Sequence, residues 1–237
     1  MFVFRLLFCA LLLITTPVLA DPLLVVGPVI PGLLDSDGKG AYNKLFDAIS
    51  AKSGVEMQID LYPYTRTVSY YENGKYDVFF PATTVDVTRD SVETTEFNRL
   101  KMFIFTAAGT SPITSASKLK GLHVGLQRGI DFPEVITNIP MNVTELNNEV
   151  QGIKMLALGR IDAMVGLVPD VYLALQKLGG NIKLSVDTTK HYSDNAESFV
   201  FANKPEYAPI VDKLNQAIKS LRESGKIKQI LGSAYVE

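Results

Sequence analysis

Cysteine is nearly absent from this 237-residue sequence, and tryptophan is missing altogether. The single cysteine, Cys9, lies at the very start, so the rest of the chain has no disulfide, no cysteine nucleophile and no thiolate metal ligand. The two histidines, His123 and His191, do not have the spacing of a metal site. Neither a phosphate-binding loop nor a nucleophile elbow occurs. We therefore expect no metal and no cofactor.

Basic patches are absent as well. Lysine and arginine number 23 against 25 aspartates and glutamates, which gives a formal net charge of −2. A nucleic-acid-binding domain normally concentrates its basic residues in a patch or stripe, and no such block occurs in this chain. We therefore expect no nucleic-acid partner.

Long apolar runs are confined to the N-terminus. The chain starts with a short basic segment that includes Arg5, continues through an apolar run at 6–14, and reaches small side chains that end at Ala20. This layout is typical of a secretory signal peptide that is cleaved after Ala20. The run is short for a membrane span, and a retained anchor is the less favoured alternative. We expect residues 1–20 to be removed and the mature chain to be exported.

The mature chain contains two successive series of strands and helices. Apolar runs and residue periodicity predict a first series with strands at 23–26, 56–62 and 77–80 and helices at 42–53 and 65–72. They predict a second series with strands at 102–108, 122–126, 162–166 and 181–186 and helices near 132, at 149–158 and at 169–178. An extended segment at 198–202 and helices at 206–223 and 226–234 complete the chain. The alternation predicts doubly wound α/β layers.

One short pattern occurs in both series. ENGKYDVFF at 72–80 and ALGRIDAMV at 157–165 share a glycine, a basic residue, an apolar residue, an aspartate and an apolar strand. Gly74 and Gly159 can adopt the left-handed conformation that ends a helix. The repeat indicates two similar lobes. A chance match is the alternative, because joints of this kind are common.

Five segments, considered together in their order and spacing, are specific enough to indicate a protein family. They are DSDGKGAYNKLFDAISAKSG, ENGKYDVFFPATTVDVTRD, SASKLKGLHVGLQRG, ALGRIDAMVG and KPEYAPIVDKLNQAIKSLRESGKIKQIL. In this order they resemble the periplasmic solute-binding proteins of ATP-driven importers for polar amino acids, over the whole mature chain. The resemblance implies a type II periplasmic-binding fold, in which two doubly wound α/β lobes are joined by two crossover strands.

The resemblance also implies how the lobes divide the chain. Lobe 1 would contain residues 21–100 and 202–237, and lobe 2 would contain residues 105–197. Crossovers near 100–105 and 198–202 would form a hinge, and a small-molecule ligand bound between the lobes would close them. The expected protein is a periplasmic monomer whose partner is a membrane permease or a sensor receptor.

The segment VFFPATTVDVTRDS, which follows the third predicted strand, matches a ligand-binding segment of the family. There the family presents small hydroxyl side chains, matched by Thr83 and Thr84, and then an arginine that pairs with the ligand carboxylate, matched by Arg89. An arginine fork suits a carboxylate because two parallel hydrogen bonds form. The alternative is a surface arginine that pairs with Asp86 or Asp90.

Four further residues are candidates for ligand contacts. Tyr64 matches an aromatic residue that stacks on the ligand in the family, and the alternative is a tyrosine on the lobe surface. Arg66 begins a helix at the carboxyl end of a strand, where open α/β sheets bind ligands, although a solvated arginine is equally favoured. In lobe 2, GLQRGIDF lacks the hydroxyl clamp of the family, and Asp131 or the backbone around Gly129 is the candidate substitute. Arg128 faces either the cleft or the solvent.

Two departures from the family affect the expected ligand. Amino-acid binders carry an acidic residue just after the strand in ALGRIDAMVG, but the matching positions here are Gly166 and Leu167. Asp170, three residues after Leu167, is the alternative acid for the ligand ammonium, but it is less favoured because we expect it to begin a helix. The family's early cleft aromatic is also missing from residues 29–34. These departures favour an anionic or polar ligand that is not a standard amino acid.

Three functions remain open from the sequence. The favoured one is a non-enzymatic binding protein that delivers a small solute to an importer. The second is a dehydratase on the same scaffold, which needs a cleft acid or base with a tuned pKa. The third is a ligand-binding protein that signals to a membrane receptor.

Overall fold

The computed structural model describes residues 21–83 and 86–236. The signal peptide predicted at 1–20 and the ligand contact predicted for Thr84 lie outside these residues. Within the described part of the chain, the helices are too short or too polar to cross a membrane.

The first half of the molecule follows the predicted order. Its elements are β1 (Leu23–Pro28), α1 (Ala41–Ser53), β2 (Met57–Tyr62), α2 (Tyr64–Glu72), β3 (Val78–Ala82) and β4 (Ser91–Glu93). The strands and helices predicted between residues 23 and 80 are confirmed. The short strand β4 was not predicted.

The second half contains more strand than the sequence predicted. Its elements are β5 (Asn98–Ala107), β6 (His123–Gln127), α3 (Glu134–Thr137), β7 (Asn142–Leu146), α4 (Glu149–Ala157), β8 (Ala163–Val168), α5 (Asp170–Lys177) and β9 (Leu184–Val186). The chain ends with β10 (Ser193–Ala202), α6 (Ala208–Glu223) and α7 (Lys226–Leu231), and short 3₁₀ helices lie at Ala116–Leu119, Pro205–Tyr207 and Gly232–Ala234. Strand β7 was missed, and the predicted strand at 181–186 is shortened to β9.

Two strands cross from one half to the other. The strand order is β2-β1-β3-β10-β5-β8-β6-β7. Strand β10 pairs with β3 through residues 198–201 and with β5 through residues 193–197, and both pairings are antiparallel. Within each half the neighbouring strands β1, β2 and β3, or β6, β7 and β8, run parallel. The predicted class, two α/β layers joined by two crossover strands, is confirmed.

Separate apolar cores lie in the two halves. In the first half, α1 buries Tyr42, Leu45, Phe46 and Ile49 against the sheet and against α6 and α7. Each large apolar side chain buried in this way contributes roughly 1.5–3 kcal/mol. The second half has its own clusters on the two faces of its sheet, around Phe105 and around Val124. The boundary positions between the lobes stay a prediction.

The repeated glycine joint has the same hydrogen bonds in both halves. Gly74 N–H donates to Tyr71 O at 3.0 Å, and the next N–H donates to a carbonyl five residues back. Gly159 N–H donates to Leu156 O at 3.0 Å, and again the next N–H reaches five residues back. Both glycines have positive φ, of 72° and 63°. Because this Schellman turn requires the left-handed conformation, the sequence repeat reflects a structural repeat.

Candidate functional site

The two halves meet at the carboxyl edges of their sheets. Strands β1, β2 and β3 end on one edge, and β6 and β8 end on the corresponding edge of the second half. Lys177 Nζ of α5 donates to Pro31 O, after β1, at 3.1 Å, and Leu173 packs against the core of the first half. Open α/β sheets bind their ligands at such edges. The region between the residues that follow these five strands is called the interlobe gap below.

Thr83 and Tyr64 converge on one carboxylate, that of Asp86. Thr83 donates twice to Asp86 Oδ2, from its N–H at 2.7 Å and from its Oγ1 at 2.9 Å. Tyr64 OH donates to the other oxygen, Oδ1, at 2.7 Å. The structure therefore brings together two of the predicted ligand residues, and their donors are already bonded to an aspartate of the chain.

Tyr64 lies between aspartates of the two halves. Its side chain follows β2 and is 47% exposed. Partial burial raises the pKa of Tyr64 well above its usual value, and its hydrogen bond to Asp86 and the charges of Asp86 and Asp131 raise it further. The exposed Asp131 of the second half is thus close enough to act on the tyrosine of the first. Both predicted residues belong to the interlobe gap.

The predicted arginines do not contact the cluster formed by Thr83, Tyr64 and Asp86. Arg66 is exposed on the first turn of α2, and within the described chain its guanidinium has no hydrogen-bond or ion-pair partner. The Arg128 side chain is 65% exposed, and its Nε donates to Glu145 Oε2 on β7 at 2.7 Å. An exposed pair of this kind contributes little to stability.

Arg89 lies at the other end of β3 from the interlobe gap. Its guanidinium donates to Asp77 Oδ1 at 2.7 Å and to the carbonyl oxygens of Tyr71 and Tyr76 at 3.0 and 3.1 Å. These partners lie at the end of α2 and just before β3 begins. The placement differs from the expected position beside Thr83, because long-range partners hold the arginine where the strand starts. A ligand contact by Arg89 would require it to leave all three partners.

Asp170 is an acidic residue that the sequence reasoning undervalued. Strand β8 runs to Val168, beyond the predicted end at 166, so Asp170 comes only two residues after the end of the strand. Asp170 begins α5 there. Burial, together with the charges of Glu149 and Glu197, raises the pKa of Asp170 to about 7 against the opposing charge of Lys177. Within the described chain, its carboxylate has no hydrogen-bond donor.

Glu197 is buried where the crossover strands pair. It lies opposite Asn98 of β5 and accepts hydrogen bonds from Asn98 Nδ2, at 2.9 Å, and from Tyr42 OH. Burial raises the pKa of Glu197 to about 7, and the two hydrogen bonds oppose this shift. The charge of Asp86 raises the pKa as well. The charges of Asp86, Glu197 and Asp170 are therefore close enough to shift pKa values within this group: Asp86 raises that of Glu197, and Glu197 raises that of Asp170.

One of the missed residues had a sequence signal. Thr83 and Asp86 have the spacing of a capping box, in which an acidic side chain reaches back to the N–H three residues earlier. This motif predicts the observed bond from Thr83 N–H. Glu197 had no local signal, because its partners Tyr42 and Asn98 come from distant elements.

The architecture defines a class of protein. Two α/β halves that are joined by crossing strands and meet at the carboxyl edges of their sheets form the type II periplasmic-binding fold. Solved structures share it: the GluR0 ligand-binding core in complex with L-glutamate has a TM-score of 0.68 at 16% identity, and the match covers 89% of this chain and 96% of that one. The resemblance stated from the sequence is thus confirmed for the fold.

Individual relatives have the same architecture at low identity. The arginine-, lysine-, histidine-binding protein ArtJ from Geobacillus stearothermophilus has a TM-score of 0.63 at 19% identity, with 87% of this chain and 92% of that chain covered. In sequence, the chain is 22% identical over 195 residues to "Probable amino-acid-binding protein YxeM" of Bacillus subtilis, which covers 79% of this chain and 72% of the relative. No protein-family model matches the chain.

Proposed function

We propose that this chain is an exported, monomeric solute-binding protein that encloses a small polar molecule with an amino group between its halves and delivers it to a membrane permease of an ABC importer. The named relatives support this class of function, because they include an amino-acid-binding protein and a protein that binds arginine, lysine and histidine. The signal-peptide pattern at residues 1–20 supports export to the periplasm.

The observation that carries the ligand class is the environment of Asp170. Its carboxylate lies at the carboxyl edge of the second half, near Glu149 and Glu197, and has no donor within the described chain. A partly enclosed carboxylate without a donor is unfavourable unless a cation pairs with it. A ligand ammonium group supplies both the positive charge and the hydrogen-bond donors.

This ligand class replaces the anionic one that the sequence favoured. The preference for an anion rested partly on the absence of an acid at Gly166 and Leu167, and we propose that Asp170, at the start of α5, takes that role. Two of the three arginines that favoured an anion are engaged elsewhere, since Arg89 pairs with Asp77 and Arg128 with Glu145, whereas Arg66 is exposed without a partner in the described chain. The charge balance around the interlobe gap therefore supports a cationic group on the ligand.

A thermal-shift screen tests the proposal. Wild type and Asp170→Asn would be screened with amino acids, amines, dicarboxylates and sugar acids, because a ligand at a hundredfold excess over its Kd stabilises the native state by about 2.7 kcal/mol. We expect a compound with an amino group to raise the melting temperature of wild type and to lose most of this effect in Asp170→Asn. Asp212→Asn, on the exposed face of α6, is the matched control and should respond like wild type.

Two results would reject the proposal. If a dicarboxylate or sugar acid stabilises wild type and Asp170→Asn equally, the ligand class is wrong. If no compound of any class stabilises the protein, the binding function itself is rejected.

The enzyme alternative has one supporting observation. Asp170 and Glu197 both have a pKa of about 7, which suits a general acid or base. The binding proposal predicts that a ligand incubated with the protein is recovered chemically unchanged, as measured by mass spectrometry. Loss of the ligand that depends on Asp170 would favour an enzyme instead.

A further inference from the structure

The donors at the end of β3 form a complete carboxylate-binding arrangement. Thr83 provides a backbone N–H and a hydroxyl, Tyr64 provides a second hydroxyl, and all three point at the carboxylate of Asp86 at 2.7–2.9 Å. Hydrogen bonds to an ionised acceptor are the stronger kind. Because both oxygens of Asp86 are engaged, these donors are not free for a carboxylate of a ligand.

The donors that hold Asp86 among the described residues are neutral groups, so they do not cancel the charge of its carboxylate. The charge of Asp86 raises the pKa of Tyr64 and of Glu197, which is buried where the crossover strands pair. A ligand carboxylate that approached Thr83 would have to displace Asp86 and would then be repelled by it.

The neighbouring charges add to this preference. The charge of Asp131, in the second half, raises the pKa of Tyr64. The charge of Glu197 raises the pKa of Asp170 on α5. The cations near these edges include Lys177, whose ammonium donates to Pro31 O, the exposed Arg66, and Arg128, which pairs with Glu145. Acidic groups therefore outnumber cations among the described residues around the interlobe gap.

We propose that the ligand is an amine that lacks an α-carboxylate, such as the decarboxylated form of an amino acid, and that Asp86 occupies the position that a ligand carboxylate would take. This inference rests on the proposed solute-binding function and narrows its ligand class. The ligand ammonium is held between Asp86 on the first half and Asp170 on the second. The closed state is therefore stabilised by a cation that both halves contact.

Matched pairs of compounds test the inference directly. Cadaverine with lysine, putrescine with ornithine and agmatine with arginine differ only by the α-carboxylate, and isothermal titration calorimetry measures their Kd values. We expect at least one amine to bind wild type roughly tenfold to a hundredfold more tightly than its parent amino acid, as expected for one charge-assisted contact.

Variants of Asp86 should reverse this preference. Asp86→Asn keeps the shape but removes the charge, and we expect it to weaken amine binding by roughly tenfold. Asp86→Ala frees the donors of Thr83 and Tyr64, so the parent amino acid should then bind more tightly than it does to wild type. Asp90→Asn, an exposed acid of the same segment, is the control and should leave both affinities unchanged. Circular dichroism of each variant checks that it is folded.

Two outcomes would overturn the inference, and they are distinguishable. If the parent amino acids bind wild type more tightly than the amines, the Asp86 inference fails while the solute-binding function stands. If neither the pairs nor the wider thermal-shift screen give binding, both fail.

Discussion

Strand β3 has an aspartate near each end, and the two carboxylates accept hydrogen bonds from different kinds of partner. Before the strand, Asp77 accepts from Arg89 at 2.7 Å, from Lys204 at 2.6 Å and from Tyr207 OH at 2.9 Å, so two cations balance one acid. After the strand, the donors to Asp86 among residues 21–83 and 86–236 are the neutral groups of Thr83 and Tyr64.

The two ends of β3 therefore differ in role: the Asp77 end stabilises the fold, and the Asp86 end is a candidate binding site. The Asp77 end ties the end of α2, the start of β3 and the segment before α6 together, and its charges cancel within the protein. At the Asp86 end both carboxylate oxygens accept hydrogen bonds, and no cation of the described residues pairs with them. Because a binding site needs an interaction that the protein does not complete for itself, the gap end is the one that can recognise a cation.

The largest effect should follow from breaking the structural end. Arg89→Ala removes the only donor that the described residues give to the carbonyl oxygen of Tyr76, one of the donors to Tyr71 O, and one cation from Asp77, so we expect the free energy of unfolding to fall by about 3 kcal/mol. Urea denaturation measures the change. Arg128→Ala, which removes only an exposed pair, should stay within about 0.5 kcal/mol of wild type.

The same variant distinguishes two roles for Arg89. Our account predicts that ligand affinity is preserved in Arg89→Ala under conditions where the variant is folded. A variant that keeps its stability but loses its ligand would instead support the ligand contact expected from the sequence.

A smaller effect should appear in the pH dependence of stability. Burial raises the folded-state pKa of Glu197 to about 7, whereas the unfolded value is about 4.3. A raised pKa means that its contribution is complete below about pH 4 and is lost as the pH rises through 7. Between pH 5 and 8, the ligand-free protein should therefore lose roughly 2 kcal/mol of stability through Glu197.

Glu197→Gln provides the comparison for this prediction. The variant should lack the Glu197 part of the slope, as measured by urea denaturation at several pH values, while Asp170 still contributes a loss of the same sign. Asp77 does not interfere, because hydrogen bonds from Lys204, Arg89 and Tyr207 outweigh its burial and lower its pKa, so its contribution is lost only at more acidic pH. Identical slopes in the two proteins would contradict the buried, protonatable Glu197.

Local signals in the sequence predicted most of the fold. The apolar run of β1, the helical spacing of Tyr42, Leu45 and Ile49 and the glycine joints at Gly74 and Gly159 all depend on neighbouring residues, and the structure has the expected element at each position. Strand β7 was missed because it lies at the edge of the sheet, pairs only with β6 and exposes Val143.

The site was less predictable because its contacts are long-range. Arg89 has the sequence position of a ligand residue, but Asp77 and the end of α2 hold it at the other end of β3. Asp170 begins α5 as expected, but it lies close to the end of β8 because that strand runs two residues farther than predicted. The bond between Thr83 and Asp86 was the exception, since the capping-box spacing indicates it locally.

The most direct test of the account is the proton release that accompanies ligand binding near pH 7. An ammonium that pairs with Asp170 favours its ionised form and lowers its pKa from about 7, so binding must release protons. Calorimetric titration of a bound amine in two buffers with different ionisation enthalpies measures this release. We predict net release from wild type and a clearly smaller release from Asp170→Asn at saturating ligand. No release from wild type, or equal release from both proteins, would contradict an ammonium bound at Asp170.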